Sequence, residues 1–125
     1  NNNRFLQIYD NRWKCWLFPY FRSTQNNNKE NIDLSISNLL KIQLSTKYIA
    51  QAKHCKYSVS DGVYKIYNHK LYMIRLDELP EYMDKDEFEI GDKVFKWLSI
   101  GEMEEDFDIM SKNDDVIAFV KKRCC

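Results

Sequence analysis

Arg12, Trp13, Trp16, Tyr20, Phe21 and Arg22 fall within eleven residues of one another. Flat rings can stack on bases and guanidinium forks can hold phosphate oxygens, so this mixture suits nucleotide recognition. In a strand, Arg12, Lys14 and Trp16 would share one face and Trp13, Cys15 and Leu17 the other, and one of those faces must be core. Tyr20 and Arg22 follow Pro19 and are the leading candidates. A second group, Lys56, Tyr57, Lys65, Tyr67, Tyr72 and Arg75, repeats the mixture later in the chain. Alternation there sets Lys70, Tyr72 and Ile74 against Leu71, Met73 and Arg75. A buried Arg75 would need an anionic partner, whereas an exposed one would simply edge a solvated hairpin. The candidate ligand-binding set is Arg12, Trp16, Tyr20, Arg22, Lys56, Tyr72 and Arg75.

Other chemistry-bearing residues are less persuasive. His54-Cys55 and Cys124-Cys125 lack zinc-site spacing, and no third group orients a Cys-His pair. No metal and no cofactor is expected from them. Glu102, Glu104, Glu105, Asp106 and Asp108 form an acidic run, which reads as a solvated helix face.

The elements that must position these residues belong to one domain's worth of chain, 125 residues with 44% hydrophobic content, enough for a single core. Lys plus Arg equals Asp plus Glu at 19 each, which argues against a non-specific binder of DNA or RNA duplexes. Scattered cysteines suggest a reducing, cytoplasmic setting. No apolar run is long enough to span a membrane, and no signal peptide is visible. The abrupt start just before a strand suggests a domain cut from a longer protein.

Residues 4–9 and 12–18 read as strands around an Asp10-Asn11 turn, and residues 23–31 as a polar loop. Residues 31–45 read as a helix, with Asn31 or Asp33 as cap. Residues 55–60, 63–68 and 70–76 read as strands, the last two split at Asn68-His69. Residues 77–93 read as a long loop. "KVFKWLSI" suits a late strand and "GEMEEDFDIM" a short helix. "NDDVIAFVKKR" suits a terminal helix with Asn113 as cap and charges matched to its dipole. The order implies a mixed α/β or α+β domain.

That order, with "WLFP" at 16–19 and "FKWLSIGEM" at 95–103, resembles the Nudix fold, a mixed sheet flanked by helices. The family's catalytic box places glutamates on a helix, where they hold Mg²⁺. Laid on residues 24–45, the box Gly falls on Thr24, the first Glu on Glu30, the Arg on Asn38 and the next Glu on Leu39. The hydrophobic position falls on Leu40, the paired glutamates on Ile42 and Gln43, and the final Gly on Ser45. Only Glu30 and Leu40 agree. Tyr20 and Phe21 stand where a Gly-Gly loop would follow Pro19.

"KCWLFPYF", "YKIYNHKLYMIRL" and "DVIAFVKK" are similar to the SMODS-associated Nudix domains of bacterial cyclic-oligonucleotide antiphage (CBASS) systems. The resemblance implies a non-catalytic sensor that binds a cyclic or linear nucleotide and regulates an attached effector, with an N-terminal transmembrane module and possible homo-oligomerisation. The alternatives are a divergent Mg²⁺-dependent hydrolase using Glu30 and the late acids, and a protein-interaction or oligomerisation domain without a small ligand.

Overall fold

The computed structural model describes residues 4–21, 28–58, 61–76 and 78–124. Its helices and antiparallel sheets make an α+β fold, as the element order implied. Strand β1 is Arg4–Asp10, and β2 is only Cys15–Leu17. The strand expected over 12–18 is shortened by the Asp10 carboxylate. Its Oδ1 accepts from the amides of Arg12 (2.8 Å) and Trp13 (2.9 Å), while the Lys14 amide donates to the Asp10 carbonyl at 2.7 Å. Amides engaged in that turn cannot join a ladder. Arg12 and Trp13 therefore belong to a turn, and the strand faces assigned to them do not apply.

Helix α1 spans Asn28–Leu40, starting earlier and ending sooner than expected. Lys41, at φ 63°, takes the left-handed conformation that commonly ends a helix. Asp33 lies inside the helix and does not cap it. Its Oδ1 accepts from the Thr46 amide (2.8 Å) and hydroxyl (2.5 Å). The Leu44 amide donates to Ser37 Oγ at 2.8 Å, so residues after Lys41 fold back along the helix.

Strands β3 (Lys47–Ser58) and β4 (Val63–Met73) form a long antiparallel ribbon. The break expected at Asn68-His69 does not occur, because Asn68 opposes Lys53 and His69 opposes Ala52 in a continuous ladder. The expected loop over 77–93 also contains structure: a 3₁₀ turn at Glu81–Met83, then β5 at Glu87–Ile90. Gly91, at φ 61°, supplies the backbone freedom for a tight hairpin into β6 (Lys93–Ser99). Ser99 and Glu102 form a capping box on α2 (Ile100–Glu104). Helix α3 runs Phe107–Cys124 and is interrupted at Asn113 (φ −141°, ψ 22°), where the sequence suggested a helix start.

The larger sheet has the order β2-β1-β6-β5, and the β3-β4 ribbon is a separate sheet. Every pairing among the described residues is antiparallel, so the mixed sheet that the Nudix resemblance implied is not found among them. Alternating side chains send Leu6, Ile8, Phe95 and Trp97 into one apolar cluster with Ile36 and Leu40 of α1. Phe5 and Leu98 enter another with Met103, Ile109, Ile117 and Val120 of α2 and α3. The sheet thus separates α1 from the α2–α3 layer. No helix among the described residues is long and apolar enough to cross a membrane.

Candidate functional site

The densest meeting of aromatic, basic and titratable groups lies between the ribbon and α3. Alternation along β3 leaves Gln51, Lys53, Cys55 and Tyr57 exposed and turns Ala52, His54 and Lys56 inward. On β4, Tyr67 opposes His54 and His69 opposes Ala52, so both share that inward face. Asp115 and Phe119 come from α3, just beyond its interruption. Trp13 comes from the turn after β1, its carbonyl accepting from Lys112 Nζ.

Lys56 is the centre of the group. Its Nζ donates to Asp115 Oδ1 at 3.0 Å and lies 5.9 Å from the ring centroids of both Trp13 and Tyr67. Beside it, His54 Nδ1 and His69 Nδ1 are 2.8 Å apart, one ring donating and the other accepting. His54 Nδ1 is 3.4 Å from Asp115 Oδ2. The His69 ring is stacked on Tyr67, and His54 meets Phe119 edge-on.

Burial and the neighbouring Lys56 ammonium, partly opposed by Asp115, push the His69 pKa below its ordinary value, so the ring is neutral near pH 7. Burial alone would raise the Asp115 carboxyl, but the Lys56 hydrogen bond and charge, with the Val116 amide, hold it below the usual carboxylate range.

Among the residues named from sequence, Arg12 and Tyr20 are brought together, both exposed, around Asp10. The Tyr20 hydroxyl donates to Asp10 Oδ2 at 3.1 Å. Burial and the Asp10 charge raise the phenol pKa, and Arg12 opposes that rise. Arg12 adjoins Trp13 in the chain, and its side chain interacts with Tyr20. Arg22 lies outside the described residues.

Trp16 belongs to another environment. It meets Tyr9 edge-on, carries Lys96 Nζ 5.8 Å from its ring, and lines an open hollow of about 310 Å³. Glu102, Glu105 and Asp106 share that hollow, so its charge opposes phosphate. Tyr72 pairs edge-on with Tyr48 at the end of β4 away from the Asp61-Gly62 turn, and Arg75 is exposed beyond the strand. Neither is drawn into the Lys56 group, and the exposed Arg75 matches the solvated-edge reading.

The positions aligned to the paired box glutamates, Ile42 and Gln43, lie past the end of α1. Glu30 is exposed on its first turn, and Asp33 is tied to Lys29 and Thr46. The late acids have local tasks: Glu102 caps α2, Glu104 pairs with Lys121 at 3.0 Å, and Asp106 Oδ1 accepts from the Ile109 amide. They stand in the α2–α3 layer, across the sheet from α1.

Trp13, named in the aromatic-basic mixture but left out of the candidate set, and His54, His69 and Asp115 complete the group; Trp13, like Trp16, also packs against the apolar core. Alternation could have paired His54 with Lys56. The turn assigned to Asn68-His69 hid His69, and no local spacing connects either strand to Asp115. No family model matches the chain, and searches of curated proteins and solved structures find no match either.

Proposed function

We propose that this domain recognises a nucleotide without hydrolysing it, a cyclic oligonucleotide messenger being the ligand class, and that it passes this binding to an attached effector in antiphage defence. The observation that carries the proposal is the seat of Lys56 between Trp13 and Tyr67. A ligand phosphate would take the place of the Asp115 carboxylate on Lys56, Arg12 would contribute a second cation, and the rings would stack on bases. The ligand class and the defence context come from the Nudix-like resemblance. Support for recognition over hydrolysis comes from α1, whose inward face is aliphatic and whose acids are solvated or already paired. Mg²⁺ held for catalysis needs several converging oxygen ligands.

The test is a thermal-shift screen against cyclic di- and trinucleotides. At about 100 times the dissociation constant a true ligand stabilises by about 2.7 kcal/mol. Trp13→Leu and Lys56→Gln, each checked for folding by circular dichroism, should abolish the shift. No shift with any member of the panel would defeat the reading.

A second reading rests on a different observation. Near the turn end of the ribbon, Tyr57, Val63, Tyr64 and Ile66 are exposed, Tyr64 and Ile66 by 75% and 74%. A two-stranded ribbon has two open edges, and an apolar patch on it suits a protein partner or a second copy. This is the interaction-domain alternative, and it is compatible with ligand sensing if binding alters assembly.

A further inference from the structure

We infer that His54, His69 and Asp115 form a site for a zinc-class divalent ion, with a further coordination position left for water or an anionic ligand. The inference does not depend on the nucleotide reading. The donor set is two imidazoles and a carboxylate, which suits Zn²⁺, Co²⁺ or Ni²⁺, whereas Mg²⁺ and Ca²⁺ require mostly oxygen.

The geometry agrees. One donor atom from each of the three residues lies within 4.8 Å of the others. Metal–ligand bonds of about 2.0–2.1 Å at tetrahedral angles separate two donors by about 3.3 Å. The His54 Nδ1–Asp115 Oδ2 distance, 3.4 Å, already has that value. The His54–His69 pair, at 2.8 Å, needs to open by only about 0.5 Å to reach it. Both rings are anchored by aromatic neighbours, Tyr67 and Phe119.

A second observation agrees with this. Asp115 Oδ2 is buried and makes no hydrogen bond among the described residues, its contact with His54 Nδ1 at 3.4 Å being an ion-pair distance only, although its sister oxygen is held by Lys56. A buried carboxylate oxygen so weakly satisfied is costly, and a cation shared with the imidazoles would satisfy it. Lys56 holds Oδ1 and leaves Oδ2 toward His54, as an outer-sphere partner would. The ammonium also repels the incoming ion, so affinity at this site responds to whatever neutralises Lys56.

The experiment is calorimetric titration of the domain with ZnCl₂, followed by Co²⁺ absorption spectroscopy. One ion per chain is expected, with visible d–d bands of a nitrogen–oxygen site and without the intense thiolate charge-transfer bands that cysteine ligation would give. His54→Ala and His69→Ala should each weaken binding at least about tenfold. Cys55→Ser and truncation of Cys124-Cys125 should leave it unchanged. As a readout free of mutation, Zn²⁺ should shift the Nδ1 resonances of both histidines in ¹⁵N NMR of the wild-type chain, and Mg²⁺ should not. Zinc held through the cysteines, binding unaltered by both histidine substitutions, or unmoved histidine resonances would overturn the inference.

Discussion

Lys56 Nζ lies 3.0 Å from Asp115 Oδ1, an ion pair that ties the C-terminal part of β3 to α3 across most of the second half of the chain. The side chains are 19% and 20% exposed, so solvent screens the pair only partly. Asp115→Asn removes the charge that offsets Lys56 and should cost about 1–3 kcal/mol in urea denaturation. Lys56→Met with Asp115→Leu should recover part of that loss, since replacing both charges removes the desolvation problem. A double-mutant cycle with no coupling would show that the pair is incidental.

Stability should fall with acid in two windows. The His69 pKa is depressed on folding, so the unfolded chain takes up the proton first. The stability this group contributes is present above its ordinary value of 6.5 and is lost as pH falls from there toward the folded value. His69→Gln should remove that slope. For Asp33 burial would raise the carboxyl, but hydrogen bonds from Lys29 and Thr46 lower it from 3.8 to about 2. Its contribution is present above 3.8 and is lost as pH falls toward 2, and Asp33→Asn should remove part of that limb, Asp115 supplying another part. Denaturant midpoints across pH 2–8 check both windows. A wild-type midpoint constant from pH 7 to 5 would contradict the first.

The aliphatic face of α1 is packing. Leu40 is 2% exposed while Leu34 is 63% exposed. Leu40→Ala should therefore cost about 2–5 kcal/mol, and Leu34→Ala should stay within about 0.5 kcal/mol of wild type. Equal effects in chemical denaturation would mean that the helix is seated otherwise.

The apolar patch on the ribbon predicts association. Sedimentation velocity should detect self-association or complex formation that Ile66→Lys and Tyr64→Lys weaken while thermal stability holds. Strictly monomeric behaviour at all concentrations, with no partner whose binding depends on either residue, would remove the interaction reading.

If the acids are structural, Mg²⁺ with nucleoside diphosphate derivatives should give no turnover. Measurable Mg²⁺-dependent hydrolysis, lost on Glu30→Gln, would restore the enzyme alternative.

Much of the fold was legible because periodicity reports burial. The aromatic strand at 4–9, the late strand at 93–99 and the terminal helix all carried their own signals. Three errors share one physical cause, which is that side chains and turns decide where ladders stop. Asp10 claimed the amides of Arg12 and Trp13 and cut β2 short. Asn68-His69 looks like a turn, yet eleven residues of β4 pair through it. "EFEIGDK" hid a hairpin among acids, with Gly91 as its only cue. The site was less legible, because it joins a turn, two strands and a helix distant in sequence. Arg12, Tyr20 and Lys56 could be named as types, but Asp115 was readable only as a helix-dipole acid. Its ion pair with Lys56 depends on a docking angle that no local pattern encodes.

The most direct measurement is calorimetric titration of cyclic di- and trinucleotides into wild-type, Lys56→Gln and Trp13→Leu domains. The account predicts saturable binding of at least one compound, weakened at least about tenfold by either substitution, with the ligand recovered intact. Flat titrations throughout, or binding indifferent to both substitutions, would contradict it.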